Sequence, residues 1–248
     1  MIDLFLNSLK KLSIIDLSHT LEEGIPFFPT HTKFRHVEIF HPKDPAKMFS
    51  LEIHEHSGTH IDAPLHYLPP GVKYVSNLHD ASSLPLEKMI GSGVVVEIEP
   101  NSENLVTAGK IIKWEKINNC DLEDFDFILF FFGWDKYWST NPEISKNYTN
   151  NWPGLSKDCS EYLLTKNIIG VGTDCIGLDK FGSIDIPAHH TLLQKKIFIF
   201  ENLNNLSTLG NATPFVFIAF PLKILKGSGS PIRAVALTEK RKGQRTIV

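Results

Sequence analysis

His56-Ser57-Gly58-Thr59-His60-Ile61-Asp62-Ala63-Pro64-Leu65-His66 places three histidines and one carboxylate within eleven residues. Imidazole and carboxylate are the side chains that hold Zn²⁺ or Mn²⁺ in hydrolytic enzymes. Gly58 and Pro64 argue against a continuous helix, because glycine costs backbone entropy there and proline lacks the N–H donor. The stretch therefore reads as a strand ending near His56, a tight turn, and an irregular segment folding back. In such a turn His56, His60 and Asp62 converge on one point. His66, after Pro64, stays close by and free to move protons.

Upstream, Phe34–Phe40 and Phe49–His56 alternate with period two. The second run puts Phe49, Leu51 and Ile53 on one face and Glu52, His54 and His56 on the other. It is expected to deliver His56 to a polar surface, with His54 a neighbour rather than a ligand. Residues 2–11 have the spacing of a short amphipathic helix built on Ile2, Leu4, Leu6 and Leu9, packed on the body or on a partner subunit. Residues 1–12 are thus an N-terminal helical extension and 13–248 a single domain. Ser13–Ser18 reads as a strand and Glu22–Pro26 as a turn. Phe27 and Phe28 follow; they line a pocket or cap the core.

Downstream, Tyr67–Gly71 is a rigid loop and Leu84–Ile90 a short helix or turn. Val94–Glu99 and Phe125–Phe132 are apolar runs of the kind buried on both faces. Gly133-Trp134 ends the second; Trp134 forms a pocket wall or fills the core. Thr107–Lys116 and Ser156–Thr165 have helical spacing, with Thr107 and Ser156 as caps. Asn167–Gly172, Ile197–Phe200, Pro214–Phe220 and Ile232–Leu237 are strands. A loop from Cys175 to Pro187 and a short helix at Thr191–Lys195 lie between them, and Gly227–Pro231 is a flexible turn. Strands alternating with helices indicate an α/β domain with a mixed sheet.

The chain has 248 residues, 42% hydrophobic and 21% charged, with a net charge of -3. That balance is ordinary for a globular protein and gives no field to draw nucleic acid or an anionic membrane surface. The Lys240-Arg241-Lys242 run reads as a solvated terminus. Cys120, Cys159 and Cys175 are far apart and odd in number, so neither a disulfide framework nor a cysteine zinc site is favoured. Met1–Leu6 lacks the basic and long apolar regions of a signal peptide. Phe127–Gly133 is too short to span a bilayer. The expectation is a cytoplasmic protein acting on a small molecule.

A second set of ligand-type residues, Asp174, His189, His190 and Glu201, lies far along the chain. Two clusters distant in sequence are what a folded metal site needs. No G-x-S-x-G elbow surrounds Ser57, so a serine nucleophile is not indicated.

The first stretch matches the H-x-G-T-H-x-D-x-P-x-H signature of the cyclase family, which includes bacterial kynurenine formamidases and isatin hydrolases. The resemblance continues through Asp16-Leu17-Ser18, Gly133-Trp134, Pro153–Ser156, Gly172-Thr173-Asp174, Ser183-Ile184-Asp185, His189, Glu201-Asn202-Leu203 and Gly229–Arg233, covering about residues 14–238. It implies a swivelling β/β/α domain, a β-rich, barrel-like mixed sheet with helices outside. It also implies His56, His60 and Asp62 as metal ligands, with Asp62 bridging two zinc ions. His189, preferred over His190, and Glu201 complete the site, and His66 is the general acid/base. Some relatives work with a single Mn²⁺. Homodimers or homotetramers are the implied assemblies.

The implied activity is hydrolysis of an amide-type C–N bond by metal-activated water. Arylformamidase, which converts N-formylkynurenine to kynurenine and formate in tryptophan catabolism, comes first. A cyclic amide or lactone hydrolase similar to isatin hydrolase comes second, and a non-catalytic metal-dependent binding protein is the reading from another class. Phe28 and Trp134 are the substrate-binding candidates. One stretch departs from the formamidase pattern: Phe28-Pro29-Thr30-His31 stands where those enzymes carry Trp-Pro-Gly-Asp. The departure leaves the metal chemistry intact and bears on the substrate.

Overall fold

The computed structural model describes residues 2–43, 46–67 and 80–240. Its elements run α1 (Ile2–Leu9), β1 (Leu12–Asp16), β2 (Arg35–Ile39), β3 (Met48–Glu52), β4 (His60–Asp62), β5 (Ile90–Glu97), β6 (Leu105–Val106), α2 (Ala108–Asn118), β7 (Phe127–Phe131), α3 (Pro142–Tyr148), β8 (Gly154–Leu155), α4 (Lys157–Leu163), β9 (Gly170–Thr173), α5 (Pro187–Leu193), β10 (Phe198–Glu201), β11 (Phe215–Pro221) and β12 (Gly229–Glu239).

Among the described residues, seven strands close a barrel in the order β4-β10-β9-β7-β5-β11-β12, because β4 bonds to both β10 and β12. Strand β1 lies antiparallel along the outer part of β12. The arc β5-β7-β9-β10 is parallel and the remainder antiparallel. The parallel strands read as continuous apolar runs because both faces are covered. Val95, Leu129, Phe198 and Phe200 point to one side, with Phe127 and Phe217. Val94, Val96, Ile128, Phe130 and Ile199 point to the other and meet Ile111, Trp114, Cys159, Leu163 and Leu192 of the helices. The strand period of two thus sorts one apolar run into a barrel interior and a helix-covered exterior. Two stretches of the motif pattern meet here, as Arg233 forks onto Asp16 through Nε and a terminal nitrogen at 2.8 and 2.6 Å.

Several boundaries differ from the sequence reading. Helix α1 ends at Leu9, and Ile2, Leu4 and Leu6 are exposed rather than packed on the body. Strand β3 stops at Glu52, so a turn rather than a strand brings His56 to the site. Its alternation with β2 builds a two-stranded hairpin exposed on both faces, where Phe49 and Leu51 are solvent-facing. Helix α5 begins at Pro187, a turn before the expected Thr191, and so contains His189 and His190. Strand β12 begins at Gly229, because Gly229–Pro231 pair with β4 instead of forming a free turn. Of the loop read at Tyr67–Gly71, Tyr67 ends a 3₁₀ turn and the rest lies outside the described residues. Arg241 and Lys242 of the basic terminus lie outside them too.

Candidate metal centre

The site is assembled where β4, the edge that closes the barrel, meets β10. His60 and Asp62 are two apart on β4 and share a face. Glu201 of β10 is the register partner of His60, so it projects to the same side. His189 comes from the first turn of α5, which packs on β10. His56 arrives from the turn before β4. That turn is held by His54 accepting at Nδ1 from the His56 amide (3.2 Å) and by Ser57 Oγ accepting from the His54 amide (3.1 Å). Gly58 sits at φ +63°, and a Cβ there would stand 2.4 Å from Leu21 Cδ2. Only glycine takes that backbone easily.

The distances describe one polar knot. His56 Nδ1 is 2.6 Å from Asp62 Oδ1, and His60 Nε2 is 3.4 Å from Asp62 Oδ1 and from Glu201 Oε2. His189 Nε2 is 3.3 Å from Asp62 Oδ2 and 3.1 Å from Glu201 Oε1. Asp62 is 1% exposed and Glu201 5%. Two trios, His56–Asp62–His66 and His60–Asp62–Glu201, each bring ligand atoms within 4.8 Å of one another, and Asp62 belongs to both.

The buried carboxylates and imidazoles of the knot shift one another. Burial alone would lower His60, but the carboxylates of Asp62 and Glu201 outweigh it and raise it to about 10. His189 is raised well above its ordinary value against burial, by Glu201, Asp179 and Asp62. Burial would raise Asp62, yet His66, His56 and His189 hold it well below the usual range. Glu201, which burial and Asp62 would raise, is drawn down to about 2 by His189 and His60. Buried Asp62 Oδ2 has no hydrogen-bond partner. A buried acceptor left over among aimed imidazoles is what a cation-binding set looks like before its ion is counted. The N/O donor set fits a divalent ion such as Zn²⁺ or Mn²⁺.

The far nitrogens of the rings are also engaged. His189 Nδ1 is 2.6 Å from Asp179 Oδ2, and the Asp179 carboxylate accepts the amides of Ala188 and His189. His60 Nδ1 is 2.9 Å from the Gly58 carbonyl, which also accepts from Asn202 Nδ2 at 2.7 Å. His56 Nε2 is 2.9 Å from Ser228 Oγ. Such outer partners orient ligands and strengthen them. Asp179 and Ser228 have no motif of their own; Asn202 stands in the Glu201-Asn202-Leu203 stretch, but the sequence reading gave none of the three a role.

His66 lies on the 3₁₀ turn Pro64–Tyr67 with its ring 4.1 Å from that of His56. Burial, only partly offset by Asp62, lowers it to about 4, so it is a neutral base at physiological pH. The knot floors a cavity of about 470 Å³ walled by Phe28, His31, Tyr67, Trp152, Ile176 and Phe181. Phe28 stands edge-on to Trp152 at 6.3 Å, and His31 stacks on His54 at 3.9 Å.

Trp134 is elsewhere. Its amide donates to Asp174 and its indole N–H to the Tyr148 carbonyl (3.1 Å), and it lines a separate cavity with Glu97, Glu99 and Phe132. Asp174, buried and accepting the amides of Phe132 and Trp134, ties β7 to β9 rather than joining the knot. His190 packs beside Tyr67, and it is His189 that meets the Asp62 and Glu201 carboxylates. Ser57 is committed to its turn.

Comparison with known proteins bears on this geometry. The Cyclase family model matches residues 15–180. An isatin hydrolase of Roseibium aggregatum is 35% identical over 196 residues, covering 75% of this chain and 73% of that protein. A kynurenine formamidase of Salinibacter ruber is 28% identical over 237 residues, covering 90% and 97%. The crystal structure of an isatin hydrolase bound to the product analogue thioisatinate superposes with a TM-score of 0.82 at 28% identity, covering 96% of this chain and 97% of that one.

Proposed function

The chain belongs to the cyclase family, and on that footing we propose that it hydrolyses an amide-type C–N bond borne by an aromatic small molecule, with a divalent metal as cofactor. The observation that carries this reading is Asp62, within 2.6–3.4 Å of His56, His60 and His189 at the floor of an aromatic-walled cavity. His56, His60, Asp62, His189 and Glu201 hold the metal, as one or two Zn²⁺ or as Mn²⁺. When bound, the metal supplies a water of lowered pKa and polarises the substrate carbonyl. Phe28 and Trp152 orient the aromatic ring. Neutral His66 takes a proton from the attacking water and passes it to the leaving nitrogen, so water adds across the C–N bond and an acid and an amine result.

Two substrates suit this chemistry. An N-formyl arylamine such as N-formylkynurenine is the first expectation. A fused cyclic amide such as isatin is favoured by Phe28-Pro29-Thr30-His31, which lies in the cavity wall, and by the higher identity to isatin hydrolase. The experiment is hydrolysis of both compounds side by side by purified protein, then chelation and restoration with Zn²⁺ or Mn²⁺. Metal-restored turnover of either supports the reading; turnover of neither, with metal bound, sinks it.

Copies of the chain associate through exposed apolar surface: Ile2 and Leu4 of α1, and Val37, Ile39, Phe49 and Leu51 of the β2–β3 hairpin. An isolated hairpin gains little stability alone, and apolar patches of this kind mark interfaces. Among the described residues no helix is long and apolar enough to cross a membrane. Three unpaired cysteines, two of them buried, suit a reducing cytoplasm.

A further inference from the structure

The three imidazoles aimed at Asp62 and Glu201 have outer partners of three kinds. His189 faces a carboxylate directly and His60 faces a backbone carbonyl. His56 faces a hydroxyl, and that hydroxyl leads to a carboxylate. Ser228 Oγ lies 2.9 Å from His56 Nε2 and donates to Glu55 Oε2 at 2.8 Å, and the same Oε2 accepts the Ser228 amide at 2.8 Å.

The directions of these bonds follow from proton counting. A serine hydroxyl has one proton and an ionised carboxylate has none. With the hydroxyl proton given to Glu55, the bond from the ring runs from Nε2–H to Oγ. That leaves His56 Nδ1 as the nitrogen turned toward the knot, 2.6 Å from Asp62 Oδ1.

The ring is also fixed sterically. A Cβ on Gly229 would stand 2.5 Å from His56 Cε1 and 2.9 Å from Nδ1, so the ring lies flush on that backbone. His66 lies 4.1 Å away, centre to centre. Ser228 is held to β4 by its carbonyl, which accepts the Ala63 amide at 2.9 Å. The register pair Gly229–Asp62 follows directly. Glu55 precedes His56 in the same turn. The relay therefore ties the turn before β4 to the start of β12 at the point where the barrel closes.

We propose that Glu55 and Ser228 are a positioning pair for the metal centre. They hold His56 with Nδ1 toward Asp62 and strengthen it as a ligand, through a hydroxyl-relayed carboxylate. Neither residue lines the cavity above the knot. The inference rests on the metal reading above, so its test separates the two.

The full chain is titrated with Zn²⁺ and with Mn²⁺ against a chromogenic chelator. Ser228→Ala is expected to weaken binding about 10- to 100-fold, the usual effect of losing an outer partner. Glu55→Gln keeps the size and removes the charge, and is expected to lose less. The double variant is expected to be no worse than Ser228→Ala alone, because the two act through one bond chain. A second readout is ¹⁵N NMR of the Zn²⁺-loaded protein. The wild type is expected to show His56 Nε2–H exchanging slowly with water, Ser228→Ala to show it exchanging fast, and Ser228→Thr, which keeps the hydroxyl, to keep it slow. If the wild type binds neither ion, the metal reading falls. If it binds, and Ser228→Ala matches its affinity within about twofold with unchanged Nε2–H exchange, the positioning pair is overturned. Should Ser228→Ala not fold, an unchanged affinity in Glu55→Gln overturns it equally.

Discussion

Glu201 on β10 and His60 on β4 are direct partners in the antiparallel register that closes the barrel, and their side chains meet with Oε2 and Nε2 3.4 Å apart. A residue directly opposite another on a neighbouring strand shares its face. Two of the proposed ligands, 141 positions apart, are thereby aimed by a single backbone pairing. Asp62, two residues on, falls on that face too, while its partner Ile199 continues the pairing. The strand that shuts the barrel also carries two of the proposed ligands, so a bound ion would be coupled to barrel closure.

Such coupling would make the metal a stabiliser. Ligand that binds only the folded chain adds about 2.7 kcal/mol when present at about 100 times its Kd. Zn²⁺ or Mn²⁺ is expected to raise the melting temperature by several degrees in a concentration-dependent way. Asp62→Asn removes the carboxylate common to both trios. It is expected to abolish the thermal shift, and to lower bound metal by elemental analysis in step with activity. Full occupancy in that variant would falsify the bridging assignment.

His66 separates catalysis from binding. As a neutral imidazole beside the knot it can accept a proton, and it is not among the five proposed ligands. His66→Ala is expected to keep its metal while losing about 100- to 10,000-fold in turnover, the range for removing a general acid/base. Stopped-assay rates and metal content on one preparation check it. Wild-type rates would make His66 dispensable and revive the binding-protein reading; loss of metal would make it a ligand.

Legibility in the sequence followed distance. His56, His60, Asp62 and His66 stand within one short run whose glycine and proline forbid a helix, so their convergence could be read locally. His189 and Glu201 carried no local signal beyond residue type, and only family resemblance paired them. Asp179, Ser228 and Glu55 were invisible because their roles arise from α5 docking and from β12 pairing with β4, which no spacing encodes. The alternation in Phe49–His56 reported a pleated strand only as far as Glu52, and not its surroundings, since both faces of the β2–β3 hairpin are exposed. Trp134 follows a glycine at a strand end, a plausible pocket wall, yet its indole N–H is taken by Tyr148 and it opens on another cavity.

Phe28 reports on the substrate. It is 37% exposed on the cavity wall, edge-on to Trp152. Aromatic pairs contribute about 0.5–1.5 kcal/mol beyond area. Phe28→Ala is therefore expected to raise KM for an aromatic substrate about tenfold with kcat little changed, since the contact serves ground and transition states alike. Phe28→Trp restores the ring and adds an N–H donor; the ratio of N-formylkynurenine to isatin turnover is expected to rise. A fall in kcat with KM unchanged in Phe28→Ala would remove Phe28 from the binding wall.

His19 makes stability depend on pH away from the metal. It is 9% exposed and stacks on Trp138 with ring centres 4.2 Å apart, and its Nε2 has no hydrogen-bond partner. Burial, opposed weakly by Asp16, lowers its pKa from 6.5 to about 3. The folded state therefore binds the proton less readily than the unfolded chain. The stability this contributes is fully present above 6.5 and is lost as pH falls toward 3. The slope is about 1.4 kcal/mol per pH unit below 6.5, or about 2 kcal/mol between pH 6.5 and 5. Other histidines titrate in the same window, so the comparison is with His19→Phe, which keeps the stack and removes the proton site. Urea unfolding of both proteins at pH 7 and pH 5 is expected to show the wild type losing about 2 kcal/mol more than the variant. Equal losses would mean that His19 is protonated in the fold, and that its buried Nε2 has found a partner the packing does not display.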